Sequence, residues 1–236
     1  VVADWSWDLV GFERALNVSD IVIGWRFGDL SSFRNLHQLK WIQLTGAGTE
    51  HLQPLSWLPR HITLTNNAGV HAAKLAEFAG TAILMLNHGF PHYITHQRDS
   101  KWSKKFTTTI FGKTALIIGL GNTGGNVAKW LKSKLGLNVI GVRRSGRAHR
   151  YADTVFTPDQ LDTLLPQADF IIVTAPLTNE TVDLLDRRRL SLLKPTAGLV
   201  NLGRARIVDY AALAEFLEAG QIAGAILDVF DPEPLP

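Results

Sequence analysis

A glycine turn between a short apolar segment and a helix-patterned segment constrains this chain most. Residues 114–118 are apolar and β-branched, as in a buried parallel strand. A helix pattern over residues 122–135 leads to a second apolar strand at residues 139–142. The glycines between them are Gly119, Gly121 and Gly124. This G-x-G-x-x-G spacing, in this setting, predicts a dinucleotide-binding βαβ unit. The first glycine permits the turn, the second lets a pyrophosphate approach the backbone, and the third lets the helix pack on the strand.

The start of the helix and the end of the second strand indicate which dinucleotide is held. Asn122 and Thr123 open the helix, whose N–H groups favour an anion. Where an NAD-binding unit has an acidic residue, this chain has Arg143 and Arg144. A guanidinium pairs with phosphate, so NADP(H) is favoured over NAD(H), which stays the alternative. The helix end at residues 131–136 is expected to be one residue longer than usual, which leaves open whether Arg143 or Arg144 reads the phosphate. A solvated basic loop is the competing interpretation.

Composition narrows the class of protein. The chain has 236 residues, 46% hydrophobic and 19% charged, which suits one large or two modest domains. It has no cysteine, which excludes disulfides and thiolate catalysis, and the compartment expected by default is the cytoplasm. A net charge of +3 does not indicate nucleic acid, and no apolar run is long enough to span a membrane.

The rest of the chain alternates strand and helix patterns. Three strands are predicted in residues 1–70, and five strands from residue 114 onward form a doubly wound parallel sheet. Between the last two of them, Asp209 is predicted to cap a helix that Gly220 ends. Residues 71–87 read as a long helix that is apolar on nearly all sides, which predicts burial or packing against a partner. Residues 89–111 read as an irregular connecting arm, in which Trp102 is expected to make packing or dimer contacts.

Several motifs resemble those of the D-isomer-specific 2-hydroxyacid dehydrogenases, including glyoxylate/hydroxypyruvate reductases. Residues 201–209, NLGRARIVD, resemble the family's N-x-G-R-G-x-x-V-D signature, and residues 227–236, LDVFDPEPLP, resemble its L-D-V-F-x-x-E-P-L-P signature. Residues 176–181, PLTNET, resemble P-L-T-x-x-T. Gly46-Ala47-Gly48 matches the family's substrate-loop turn, and Ala76-Glu77 lies in its connecting helix. The motifs occur in the family's order along essentially the whole chain.

The resemblance implies hydride transfer between a nicotinamide cofactor and a small 2-keto acid, with glyoxylate or hydroxypyruvate as leading candidates. It implies that Arg204 binds the substrate carboxylate and polarises the keto oxygen. It assigns a second carboxylate contact to the backbone of Ala47 and Gly48. It also implies that Glu233 keeps a histidine protonated as the acid. Further cofactor contacts implied by the motifs are Ala175, Pro176, Thr181, Leu202, Gly203 and Asp228. Asp228 ends an apolar strand, where a buried acid needs a partner.

The chain departs from the family pattern in three respects. No histidine follows Glu233, so we expect an internal piece of a longer enzyme, truncated at both ends, with weak activity or none. Ala205 stands where the family has glycine, with no expected loss of function. Arg26, after the first predicted strand, is either a contact to the far end of the substrate or an ordinary surface arginine.

The predicted organisation is an α/β protein with two domains. A partial, flavodoxin-like substrate domain covers residues 1–70, and a Rossmann dinucleotide-binding domain with the connecting helix and dimer arm covers residues 71–236. We expect a homodimer that binds neither metal, nucleic acid nor membrane. Two other functions stay open: a catalytically silent dinucleotide-sensing module, and an oxidoreductase for a small anion such as formate.

Overall fold

The chain forms two compact units, each with its own parallel sheet. The computed structural model describes residues 9–25 and 27–235. The units are residues 1–70 and residues 71–236. The sheet of the first has three strands and that of the second has six.

The first unit carries the three strands that the sequence predicts. Helix α1 spans Leu9–Leu16. The strands are β1 (Ile21–Gly24), β2 (Trp41–Leu44) and β3 (Thr63–Thr65), parallel and in the order β1-β2-β3. The helical stretches expected between these strands are short 3-10 turns, two of which lie beside Pro54. Pro54 disfavours a longer helix between β2 and β3.

The second unit is a doubly wound parallel sheet, as predicted. Its strands are β4 (Thr114–Ile118), β5 (Asn138–Val142), β6 (Thr154–Phe156), β7 (Phe170–Val173), β8 (Gly198–Asn201) and β9 (Gly224–Leu227). Their order is β6-β5-β4-β7-β8-β9, so the direction of winding reverses between β4 and β7. Ligands of such sheets bind at the carboxyl ends of the strands beside this reversal.

The sequence predicts five of these strands and misses β6. That strand has three residues, lies at the edge of the sheet and pairs with β5 alone. An edge strand this short has no buried apolar run, so its alternation pattern is too brief to read.

The helices cover both faces of the sheet. They are α2 (Ala72–Asn87), α3 (Phe90–Arg98), α4 (Asn122–Trp130), α5 (Leu161–Leu164), α6 (Arg187–Leu190) and α7 (Tyr210–Glu218). The predicted caps of α7 are confirmed, because Asp209 accepts a bond from the Ala212 N–H and Gly220 ends the segment at φ +66°.

Helix α2 is apolar on several sides because it packs against more than one neighbour. A methyl group on Gly80 would overlap the indole ring of Trp130 in α4. The Leu86 side chain lies against Gly198 of β8 and Gly224 of β9. The expected burial is therefore met in part: eight residues of the helix are buried, whereas Phe78 is 38% exposed.

Two helix boundaries differ from the sequence prediction. Residues 89–111 are not wholly irregular, since α3 begins after Gly89, which has φ +72°, with Pro91 in its first turn. Proline in the first turn is an ordinary feature of a helix start, but the polar composition of the segment led to the prediction of an irregular structure. Helix α4 ends in a π-helical turn, Leu131–Leu135, closed by Gly136 at φ +64°. This wide turn accounts for the expected extra residue before β5.

Candidate dinucleotide and substrate site

The glycine turn after β4 is packed against the backbone that follows β7. Gly119 has φ +102°, and a methyl group there would overlap the backbone of Thr174 and Ala175. A methyl group on Gly124 would lie 2.7 Å from Thr174 Oγ1 and would overlap the Gly119 carbonyl. Both glycines are therefore required by close approach, as predicted.

Gly121 has a different environment from the other two glycines. A methyl group at this position would meet nothing within 4 Å. Gly121 and Asn122 are exposed, and α4 begins there with no side chain capping its first N–H groups. Open backbone at a helix N-terminus suits an anion, so these residues fit a dinucleotide pyrophosphate. Thr123, half-buried, is the next residue of the same turn.

Thr174 supports this turn and was missed by the sequence analysis. Its hydroxyl donates to the Gly119 carbonyl oxygen at 2.8 Å. Its position directly after the buried strand β7 is the signal that could have identified it, because strand ends at the reversal face the site.

The neighbouring strand ends complete the same edge of the sheet. A methyl group on Gly203 would lie 2.7 Å from the Ala175 carbonyl oxygen, and the Leu202 N–H donates to the Val173 carbonyl at 2.9 Å. The structure thus brings Ala175, Leu202 and Gly203 together beside the glycine turn.

The residues after Ala175 form a turn that stabilises itself. Pro176 is exposed, and its carbonyl accepts a bond from the Thr181 hydroxyl at 2.8 Å. The same hydroxyl oxygen accepts the Thr178 N–H at 2.7 Å. Thr181 therefore holds the shape of the loop, in addition to any contact it makes with a ligand.

The arginines after β5 lie at the carboxyl end of the strand next to the glycine turn. The Arg143 N–H donates to the Phe156 carbonyl at 3.0 Å, and the Gly146 N–H donates to the Arg143 carbonyl at 3.0 Å. Arg143 is half-buried and Arg144 is exposed. Burial, and then the charges of Arg143 and Arg150, lower the pKa of His149. The guanidinium charges of Arg143 and Arg150 therefore act on the His149 ring at this edge of the sheet.

The basic run at residues 187–189 differs from Arg143 and Arg144 in its ion pairs. Arg187 pairs with Glu215 at 2.7 Å, and Arg188 and Arg189 both pair with Asp162. Within residues 9–25 and 27–235, no carboxylate forms an ion pair with Arg143 or Arg144. Hydrogen bonding by the Thr178 side chain and the Glu180 backbone, and to a smaller extent the charge of Arg144, lower the pKa of Glu180. A carboxylate therefore acts on Arg144 electrostatically without forming an ion pair with it in the described residues.

Arg204 is the third residue after β8 and is half-buried. Its Nη1 donates to the Gly203 carbonyl at 2.7 Å. The turn is held by Asn201, which is fully buried; its Oδ1 accepts the Gly203 N–H at 3.0 Å and its Nδ2 donates to the Arg204 carbonyl at 3.1 Å. Ala205 is buried and starts a 3-10 turn, a conformation that alanine adopts readily.

Asp228 and Glu233 lie in the segment after β9. Asp228 is exposed, which corrects the expectation of a buried acid needing a partner, because it stands just beyond the end of the strand. Its N–H donates to the Asn201 carbonyl at 3.0 Å. Glu233 is exposed, and its Oε1 accepts the Phe230 N–H at 2.7 Å. Asn201 therefore contacts the segments carrying Arg204 and Asp228.

The loop after β2 is the candidate substrate loop of the first unit. A methyl group on Gly46 would overlap the Trp25 ring. The exposed residue Ala47 accepts a bond from Asn66 Nδ2 at 2.7 Å, and Gly48 is half-exposed. Arg26, the other predicted substrate contact, lies outside the described residues.

Neither a metal cluster nor a membrane span is found in the part of the chain that the structure describes. There, no group of three or more histidine, cysteine, aspartate or glutamate side chains is placed to hold a metal ion. No helix within the same residues is long and apolar enough to cross a membrane.

Sequence comparison identifies relatives of the chain. Residues 81–236 match the family described as the NAD binding domain of D-isomer specific 2-hydroxyacid dehydrogenases. Glyoxylate reductase from Thermococcus gammatolerans is 32% identical over 211 residues, which are 86% of this chain and 63% of that protein. The chain therefore spans less than two thirds of the length of this relative.

Two solved structures are similar to the chain at comparable identity. A D-isomer specific 2-hydroxyacid dehydrogenase from Xanthobacter autotrophicus Py2, in complex with NADPH and MES, gives a TM-score of 0.82 at 29% identity, covering 93% of this chain and 69% of that one. An NADPH-dependent glyoxylate/hydroxypyruvate reductase from Sinorhizobium meliloti, in complex with NADP and sulfate, gives 0.83 at 26% identity, covering 97% and 73%.

Proposed function

Because the chain belongs to the family of D-isomer specific 2-hydroxyacid dehydrogenases, we propose that it serves hydride transfer between NADPH and a small 2-keto acid. The observation that carries the proposal is the edge of the six-stranded sheet where the open backbone of Gly121, the arginines after β5 and Arg204 after β8 all lie. A bound nicotinamide dinucleotide supplies the hydride.

Cofactor recognition is proposed for three groups on this edge. The open N-terminus of α4, with Gly121, Asn122 and Thr123, holds the pyrophosphate. Arg143 or Arg144 reads the adenosine 2′-phosphate, because neither forms an ion pair with a described carboxylate. The two similar structures were solved with NADPH and NADP, which supports this choice over NADH.

Substrate chemistry is proposed for the segments after β8 and β9. Arg204 binds the substrate carboxylate and polarises the keto oxygen with its fixed positive charge. Asp228 accepts a hydrogen bond from the nicotinamide amide. Glu233 is the carboxylate partner of a histidine acid, whose proton goes to the forming alkoxide.

For the first unit we propose a separate role in substrate binding. The N–H groups of Ala47 and Gly48 hold the substrate carboxylate. The carbonyl of Ala47 is already bonded to Asn66, which fixes the orientation of this loop. Arg26 is proposed as the contact to the far end of the substrate. Glyoxylate and hydroxypyruvate are the proposed substrates, since the similar reductases carry these names.

A homodimer is proposed through the segment between α3 and β4. Its aromatic side chains are highly exposed, with Trp102 at 89%, Phe106 at 96% and Phe111 at 78%. Aromatic residues at such exposure are typical of interface anchors. Light scattering after size exclusion tests this proposal. The double variant W102S/F106S should lower the dimer fraction, and a monomeric wild-type protein at high concentration would refute it.

The main experiment measures dissociation constants for NADPH and NADH by calorimetry at low and moderate salt. NADPH should bind more tightly, and its advantage should shrink with salt. Arg143→Ala and Arg144→Ala, made separately, identify the phosphate-reading residue, whose loss should weaken NADPH binding by roughly 10- to 100-fold, or about 1.4–2.8 kcal/mol. NADH binding should hardly change.

A matched control removes a positive charge elsewhere in the same unit. Arg98→Ala, at the end of α3, should leave both affinities unchanged. If NADH binds more tightly than NADPH, or both arginine variants bind like wild type, the cofactor assignment is wrong. If the full-length protein binds NADPH but does not oxidise it in the presence of any 2-keto acid tested, the sensing-module alternative is favoured.

A further inference from the structure

The phenol of Tyr210 joins two segments that carry proposed site residues. Tyr210 is the first residue of α7. Its hydroxyl accepts a hydrogen bond from Asn201 Nδ2 at 3.0 Å and donates one to the Val229 carbonyl at 2.9 Å. A phenol has one donor and can also accept, so both bonds form at once.

On one side, the phenol contacts the residue that shapes the Arg204 turn. Asn201 is fully buried. One hydrogen of its amide goes to the Arg204 carbonyl and the other to Tyr210, while its oxygen accepts the Gly203 N–H. An amide held at all these points has one orientation, and a buried amide that loses a partner is costly.

On the other side, the phenol contacts the segment after β9. Val229 lies between Asp228 and Phe230, and the Phe230 N–H is held by the Glu233 carboxylate at 2.7 Å. The rings of Tyr210 and Phe230 pack edge to face, with centroids 6.4 Å apart. The phenol therefore fixes the backbone between the two acidic residues.

Electrostatics keep this bridge intact. Burial raises the pKa of Tyr210 above its ordinary value. The hydrogen bond from Asn201 acts in the opposite direction, and the charge of Glu233 adds to the increase. The hydroxyl is thus protonated at neutral pH and available as a donor. The contribution of the phenol to stability is full below its unfolded pKa and is lost as the pH rises through the higher folded value.

We propose that Tyr210 is a positioning residue that fixes the turn bearing Arg204 relative to the segment bearing Asp228 and Glu233. The inference rests on the proposed roles of those three residues. Tyr210 acts through Asn201 and Val229 and is not assigned any contact with substrate. Small displacements of a reacting group reduce rate strongly, which makes such a bridge consequential for turnover.

The test is Tyr210→Phe in the full-length protein, which removes the hydroxyl and keeps the ring against Phe230. We expect kcat for glyoxylate or hydroxypyruvate reduction to fall about tenfold, with the NADPH dissociation constant unchanged. Amide hydrogen exchange should become faster at residues 203–204 and 229–233. Tyr93→Phe is the matched control, because its hydroxyl donates to the Lys105 carbonyl at 2.8 Å in another part of the unit.

The outcomes separate this inference from the proposed function. If Tyr210→Phe exchanges faster at both segments but keeps the wild-type kcat, while Arg204→Gln is inactive, Tyr210 is merely structural and the inference is overturned. An unchanged exchange pattern overturns it as well. If Arg204→Gln and Glu233→Gln are both fully active, the proposed function itself fails, whatever Tyr210→Phe does.

Discussion

Two glycine turns, one in each unit, follow a strand of a parallel sheet but need glycine for different reasons. The turn after β4 is constrained by backbone, since Gly119 has φ +102° and lies against Thr174 and Ala175. The turn after β2 is constrained by a side chain, since Gly46 lies under the ring of Trp25. A backbone requirement gives a fixed spacing of glycines, whereas a side-chain requirement gives a single glycine that has meaning only once its neighbour is known.

The two turns are also held in place differently. The turn after β4 is closed by main-chain bonds and by the Thr174 hydroxyl on the Gly119 carbonyl. The turn after β2 is held largely by amide side chains from a later loop, with Asn67 Nδ2 on the Thr45 carbonyl at 3.1 Å and Asn66 Nδ2 on the Ala47 carbonyl at 2.7 Å. The glycine spacing of the first turn can be read locally, although its contacts come from Val142 and Thr174. The second turn has no such spacing and depends on residues about twenty positions away.

The largest effect is expected for Gly119→Ala. The substitution combines a disfavoured φ with overlap against backbone that cannot rotate away, so the second unit should lose roughly 2–5 kcal/mol of stability. Urea denaturation with amide exchange at β4 and β7 measures it. Gly112→Ala is the control, because Gly112 has φ +77° but nothing within 4 Å of an added methyl group. An equal loss in both variants would show that φ alone matters.

The next effect concerns Gly121, where stability and binding should separate. Because a methyl group there meets nothing within 4 Å, Gly121→Ala should fold like wild type. It should weaken NADPH binding by about tenfold or more, since the methyl group occupies space at the pyrophosphate. Thermal unfolding measures the stability of the variant, and calorimetric titration measures its NADPH dissociation constant. Unchanged affinity would place the pyrophosphate elsewhere.

A smaller effect is expected for Gly46→Ala, because a side chain can move. The Trp25 ring should shift to admit the methyl group, at a cost of roughly 1–3 kcal/mol to the first unit. When Trp25 is already replaced by Leu, adding Gly46→Ala should cost much less stability than it costs in the wild-type chain. Chemical denaturation of the four proteins forms the cycle. Additive losses would contradict the side-chain explanation.

The smallest effect is a shift in titration near the turn after β4. Burial and the charges of Arg143 and Arg150 lower the pKa of His149. The neutral ring is therefore favoured, and its contribution to stability is lost as the pH falls through the folded pKa. Arg143→Ala should raise this pKa, as should binding of adenosine 2′,5′-bisphosphate, whereas AMP should raise it less. The histidine C2 proton resonance followed against pH measures the change, and equal shifts with both nucleotides would argue against a 2′-phosphate at Arg143.

Several features of the fold follow from short stretches of sequence. The strand at residues 114–118, the three glycines and the Asp209 cap of α7 each depend on neighbours within a few residues, and all are found as predicted. Strand β6 and helix α3 were missed, the first because it is short and lies at an edge, the second because its polar residues masked an ordinary start. A local sequence pattern predicts an element only where burial gives a periodic alternation of apolar residues or where a capping residue marks the end of a helix.

The candidate site shows the same division. Glycine spacing and the resemblance indicate the glycine turn, Arg143, Arg204 and Glu233, but they indicate neither Thr174 nor the bridge from Asn201 through Tyr210 to Val229. These contacts join residues up to 55 positions apart. No local pattern marks them, because each side chain could equally have pointed to solvent.

The sequence by itself determined the parallel α/β class, the family and the dinucleotide turn, because strand hydrophobicity, glycine spacing and family signatures are written in consecutive residues. Only the tertiary structure decided which glycine is open to a ligand, which arginines form no ion pair within the described residues, and which phenol joins the two proposed catalytic segments. The physical reason is that packing and hydrogen bonding depend on distances between segments, which chain folding brings together and sequence neighbours do not encode.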